Sequence, residues 1–216
     1  MGDISHLIQQ ITIYALPVLL AITLHEAAHA YAAKRFGDNT AYMLGRMTLN
    51  PLKHIDPVGT VLLPLLSLMM GGVLFGWAKP VPVNYGNLRN PKADMFWVAG
   101  AGPAANFVMA VAWAFLLKSA APGGMIDSNG FFEMAKAGID VNLVLMALNL
   151  LPIPPLDGGR IATSLLPGRV AHYFARIEPY GFMIVIVLLA TGLLSDLMLP
   201  LLRAGEYAIE LLLGLG

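Results

Sequence analysis

His25-Glu26-Ala27-Ala28-His29 places two imidazoles and a carboxylate within five residues, inside an apolar run. Leu7 to Leu24 is almost continuously apolar, and Ala27 to Ala33 carries the same helix onward. Histidines four apart on a helix project about 40° from one another, one turn apart. Neutral rings so placed can take two corners of a zinc tetrahedron. Glu26 follows the first histidine and can reach a metal-bound water as general base. A catalytic zinc needs a third protein ligand, which this stretch lacks. Two helical histidines satisfied by their neighbours are the competing reading, and five residues with three fixed arise often by chance. Three ionisable groups inside a membrane segment are costly, however, and a bound cation offsets that cost.

Composition says what kind of element must hold them. Of 216 residues, 57% are hydrophobic and 12% charged, with a mean hydropathy of +0.70. Soluble domains carry roughly 25% charged residues, so the chain reads as an integral membrane protein with one membrane-embedded domain over residues 1–216. Its catalytic core covers about 7–178, and a C-terminal helix and tail cover about 179–216. A formal charge of zero gives no basic surface for nucleic acid, and the lack of cysteine excludes disulfides and thiolate metal sites. The metal ligands available are His, Asp and Glu. No Lys or Arg precedes the first segment, which therefore does not read as a cleavable signal peptide.

The pattern predicts an all-α polytopic membrane protein: about four transmembrane helices plus a re-entrant segment and a short β-hairpin. The spans are about Leu7–Phe36, Asp94–Leu117, Phe131–Leu151 and Tyr180–Leu199, with a tail from Leu201 lying along the interface. Val58 to Met70 is apolar over only about 13 residues and contains Pro64, which suits a re-entrant element. FGWAKPVPVNYGN, Phe75 to Asn87, predicts the hairpin, because Pro80 and Pro82 exclude a helix and Asn84-Tyr85-Gly86-Asn87 can turn. Lys34, Arg35, Arg46 and Lys53 all follow the HExxH stretch. The positive-inside rule then puts the N-terminus outside and the histidines toward the cytoplasm, and a re-entrant Val58–Met70 keeps most other basic residues on that side. A compact prokaryotic cell-membrane protein is the expected setting.

The third ligand is expected at Asp157. Asn149-Leu150-Leu151-Pro152-Ile153-Pro154-Pro155-Leu156-Asp157-Gly158-Gly159 ends a span in a proline-broken stretch, tolerable at membrane depth only where protein or a wet cavity surrounds it. A carboxylate there completes a His₂Asp set with one position left for water. The competing reading pairs Asp157 with Arg160. His54 reads as a loop or interfacial histidine, and His6 and His172 as solvated span ends. Asn106 either hydrogen-bonds between helices or lines the site.

At the HEAAH and NLLPIPPLDGG stretches the sequence resembles the site-2 protease family of intramembrane zinc metalloproteases. AGAGPAANF (Ala99 to Phe107) and FGWAKPVPVN look like the same family, so the resemblance covers most of residues 7–178. It is similar to the compact subgroup without PDZ or CBS domains. The resemblance implies one Zn²⁺ per chain on His25, His29 and Asp157, with Glu26 as the catalytic base. Asn149 would hold substrate or oxyanion, with Asn106, Trp77, Pro80 and Pro82 as further substrate-side candidates. The implied activity is endopeptidase cleavage in or near transmembrane segments, as in regulated intramembrane proteolysis. Its partners would be a transmembrane substrate and the lipid bilayer, with oligomerisation open. The rival class is a metal-binding transporter or silent scaffold. A transporter would show paired repeats, which this chain lacks, and a silent homologue would usually lose Glu26 or a ligand.

Overall fold

The structure, a computed structural model, describes residues 2–62, 79–120, 126 and 128–214, with the backbone alone for residues 2–7, 60 and 61. The described residues are mostly helical and contain no strand. The helices are α1 (Gly2–Phe36), α2 (Thr40–Met43), α3 (Pro91–Ala120), α4 (Asn129–Leu150), α5 (Asp157–Leu165), α6 (Gly168–Ala175), α7 (Glu178–Thr191) and α8 (Leu193–Leu213). Helices α1, α3 and α4 pack on one another, α5 lies against α3, and α8 closes the far side of α3 and α4.

Among the described residues two helices are long and apolar enough to cross a membrane, Ile8–Phe36 and Pro91–Ala120. A third span results if Gly168–Ala175 and Glu178–Thr191, bent by 64°, act as one. The expectation of four spans is corrected in two places. Helix α4 forms over 22 residues but carries Glu133, Lys136 and Asp140, too many charges for a span of its length. The expected fourth span stops at Thr191, because Gly192 adopts φ +79°. The chain restarts as α8, whose Ile209 and Leu213 enter the core with Ala110, Ala114, Leu143 and Met146. The stretch expected to lie along the interface is thus packed helix, at least to Leu213.

The hairpin is also corrected. Residues 79–84 carry no ladder and run into a 3-10 turn at Tyr85–Asn87. Pro80 and Pro82 have no N–H to donate to a neighbouring strand. The hairpin's first arm, Phe75 to Ala78, with Trp77, lies outside the described residues, as do residues 63–70 of the expected re-entrant segment. Pro57–Leu62 forms a π-helical turn.

The end of α1 is built to hold that proline segment. Lys34 and Arg35 lie in its last turn, where cations suit the helix dipole. The helix ends because Gly37 takes φ +115°, a conformation only glycine adopts at little cost. Asp38, fully buried, then accepts from Thr40 N–H at 3.0 Å and Asn84 N–H at 2.8 Å, and from the Asn87 amide at 3.1 Å and the Thr40 hydroxyl. Arg46 donates to the carbonyls of Lys79 (3.0 Å) and Pro80 (3.3 Å). His54, fully buried, donates from Nε2 to Thr48 O at 2.9 Å, and its own carbonyl accepts from Lys79 N–H at 3.0 Å. His54 is therefore a structural loop residue, buried rather than interfacial.

Burial alone would raise the Asp38 carboxyl. The hydrogen bonds from Thr40, Asn84 and Asn87 outweigh it and hold the group below its ordinary 3.8. The folded pKa is the lower one, so this stabilisation is complete above about pH 4 and is lost as pH falls through the folded value. Asp38→Ala leaves buried donors unpaired and is expected to cost about 1–3 kcal/mol. It should also flatten the acid limb of a thermal-melting series below about pH 4. An unchanged melting temperature with an unchanged acid limb would contradict this account.

Candidate metal centre

The two histidines stand on the buried face of α1, and α3 supplies what they lean on. His29 Nδ1 lies 2.7 Å from the Val98 carbonyl oxygen, which can only accept, so that nitrogen carries the proton. His25 Nδ1 lies 2.5 Å from Asn106 Oδ1. Asn106, fully buried, donates from Nδ2 to Asn142 Oδ1 at 2.9 Å and to Ala21 O at 3.3 Å. Between Val98 and Asn106, one turn from each, sits Gly102. A Cβ there would overlap His29 Nε2 and lie 2.6 Å from His25 Nε2. Residues 98, 102 and 106 thus form one stripe of α3 at helical spacing: a carbonyl, a gap and an amide.

Asp157 arrives from the other side. Pro152, Pro154 and Pro155 end α4, and α5 begins at Asp157 itself. Within the broken stretch Leu151, Pro154 and Asp157 are buried, while Pro152 and Pro155 are exposed. Cβ atoms on Gly158, Gly159 and Gly181 would each strike backbone of residues 150–154. Arg160 does not pair with Asp157. Its guanidinium lies 3.4 Å from Glu178 Oε1 and over the Tyr85 ring.

Three side chains therefore converge. His25 Nε2 and His29 Nε2 are 3.0 Å apart, and each is 3.2 Å from Asp157 Oδ2. With both protons committed to Nδ1, the atoms that meet all present lone pairs, and Asp157 Oδ2 is buried with no hydrogen-bond partner. Three buried acceptors facing one another repel unless a cation lies among them. Tetrahedral zinc with bonds near 2.05 Å has ligand–ligand edges of about 3.3 Å. The chemistry of the donors and their spacing both fit zinc, and among the described residues His25, His29 and Asp157 form the one such group.

The other sequence candidates fall out as follows. Glu26 is half-buried, and its Oε2 accepts from Val81 N–H at 2.6 Å. Pro80 is exposed and Pro82 half-buried on either side of that donor. Asn149 Nδ2 donates to Leu145 O of its own helix at 3.0 Å. Asn106 is committed to His25 rather than to an open surface. Val98, Gly102 and Asn142 were not singled out from the sequence. Asn142 carried no signal of its own, since the same helix also holds Asn129, Asn149 and three charged residues.

Known proteins place this geometry. Residues 119–192 match the family model for peptidase family M50. Bacillus subtilis "Putative zinc metalloprotease YwhC" is 42% identical over 196 residues, covering 89% of this chain and 86% of that protein. "Putative zinc metalloprotease Rip2" of Mycolicibacterium smegmatis is 37% identical over 180 residues, covering 82% and 66%. Its Mycobacterium tuberculosis H37Rv namesake is 29% identical over 174 residues, covering 79% and 63%. No solved structure matches the chain significantly. The two long apolar helices, the zinc-compatible triad and these relatives agree: the chain belongs to peptidase family M50, the site-2 proteases, and is a membrane zinc metalloprotease.

Proposed function

We propose that this metalloprotease is an endopeptidase that works inside the bilayer, on peptide bonds in or near transmembrane segments of other membrane proteins. The observation carrying this reading is position. His25 and His29 lie within the candidate span Ile8–Phe36, so a substrate must come to them through apolar surroundings. His25, His29 and Asp157 would hold the zinc. When bound, it supplies Lewis acidity, acidifying water and polarising a carbonyl oxygen. Glu26 takes the proton of the attacking water and returns it to the leaving amine. Val81 N–H fixes one oxygen of that carboxylate, which sets its orientation for the transfer. Asn149 faces the substrate oxyanion after its side chain swings away from Leu145 O. Pro80 and Pro82 lie along the unwound peptide, because a substrate helix must open locally before its carbonyls can react. The basic residues after α1 orient the site toward the cytoplasm, with the N-terminus outside.

The test is metal content and cleavage on the same samples. The full chain, purified in detergent, should carry about one zinc, measured by mass spectrometry. Asp157→Ala removes the anionic member of the ligand set and should drop zinc to a small fraction of that, with loss of cleavage. Cleavage is read on model transmembrane peptides, with the cut bond mapped. Undiminished zinc in Asp157→Ala would sink the ligand assignment. Cuts confined to extramembrane loops would sink the intramembrane reading.

A further inference from the structure

We infer that Asn142 is a positioning residue for the metal centre: through Asn106 it holds His25 in the tautomer whose Nε2 can bind a cation. The inference rests on His25 being a zinc ligand through Nε2. Its support is the direction of a chain of hydrogen bonds, which the backbone at its far end decides.

Asn142 Nδ2 lies 2.8 Å from the carbonyl of Gly138, one turn back on α4. A carbonyl only accepts, so the amide nitrogen must face it and Oδ1 must face away. That oxygen lies 2.9 Å from Asn106 and needs a donor, which makes the facing atom of Asn106 its nitrogen. The Ala21 carbonyl, 3.3 Å from the same nitrogen, agrees. Asn106 Oδ1 is thereby turned to His25 Nδ1 at 2.5 Å and accepts its proton. Every link is forced by the one before it. Both asparagines are 0% exposed, so no solvent competes for either amide.

The two histidines are held by different means. His29 is fixed directly by a backbone carbonyl, which cannot reverse. His25 is fixed by an amide, which can. With its oxygen and nitrogen exchanged, Asn106 would offer a donor to Nδ1 and drive the proton onto Nε2, where it would block the metal. Asn142 and Ala21 are what forbid the exchange. The relay also joins three helices, α1, α3 and α4, at one point.

The experiment uses the full chain in detergent, with zinc affinity measured by chelator competition and the His25 tautomer read from ¹⁵N-histidine NMR of metal-free protein. Asn142→Leu fills similar volume without an acceptor and is expected to weaken zinc binding about tenfold or more. In the same variant the His25 signals should move from the Nδ1-protonated pattern toward a mixture, with those of His29 unchanged. Asn142→Asp, held as the neutral acid by burial, still donates to Gly138 O and accepts from Asn106, and should restore most of the affinity. Wild-type affinity in Asn142→Leu overturns the inference. So does weaker binding with an unmoved His25 signal, because it marks a purely structural role. The wild-type spectrum decides even if the leucine variant fails to fold: a proton on His25 Nε2 refutes the relay outright. Normal zinc binding by His25→Ala would instead overturn the ligand reading on which the inference rests.

Discussion

Glu26→Gln is expected to lower peptide cleavage by roughly a thousandfold while leaving zinc at about one per chain. General acid–base catalysis by a placed side chain contributes on the order of 10²–10⁴, and glutamine cannot take up the proton. Zinc stays because Glu26 is not among the three converging donors, and its Oε2 points at Val81 N–H instead. The glutamine carbonyl can still accept that hydrogen bond, so the fold around Val81 should survive. Joint loss of zinc and cleavage would make Glu26 part of the metal site. Cleavage within tenfold of wild type would remove it from the chemistry. Metal analysis and initial rates on one preparation separate these outcomes.

Gly102→Ala is expected to abolish both zinc binding and cleavage. The added methyl would overlap His29 Nε2 and crowd His25 Nε2 and Cε1, so it occupies the space between the donors. Relief by moving α3 away from α1 is no remedy. Val98 and Asn106 ride on the same stripe of α3 and hold both Nδ1 atoms, so the shift that makes room also breaks the bonds that fix the tautomers. Overpacking alone costs about 1–3 kcal/mol, and losing the groups that orient the ligands costs about 10–100-fold in metal affinity. Gly100→Ala is the control. Its Cβ would meet nothing within 4 Å, and alanine favours the helix by up to about 1 kcal/mol, so zinc and activity should be unchanged. Zinc bound normally by Gly102→Ala would mean that the helices are less tightly placed than described.

Much of the centre was legible because metal chemistry restricts residue type and spacing together. His25 and His29 announce a shared helix face, and a carboxylate just beyond a proline-broken span end announces a ligand brought in from elsewhere. Helices α1 and α3 follow from apolar length, whereas the charges at Glu133, Lys136 and Asp140 interrupt that pattern in α4. The break at Gly192 was hidden because Tyr180 to Leu199 contains no proline and no charge before Asp196. A single glycine in a left-handed conformation looks the same in sequence as one inside a helix. The hairpin misled because two prolines two apart exclude a helix without supplying a ladder. Asn142 stayed silent for another reason. Its meaning depends on a partner 36 residues away, and no local pattern records which of two amide atoms faces which neighbour.

Val81 is the one residue of Pro80-Val81-Pro82 that owns a backbone N–H, and it gives that N–H to Glu26. What the tripeptide has left on its backbone is carbonyls, and that of Pro80 already accepts from Arg46. Such an edge cannot zip onto a second copy of itself, because donors are missing on both sides. It is one-way: a visiting chain holds on here only with N–H groups of its own, and those of an intact helix are already spent inside the helix. On the function proposed above, this rim would favour substrate that has already unravelled, and a proline placed opposite it would find nothing to grip.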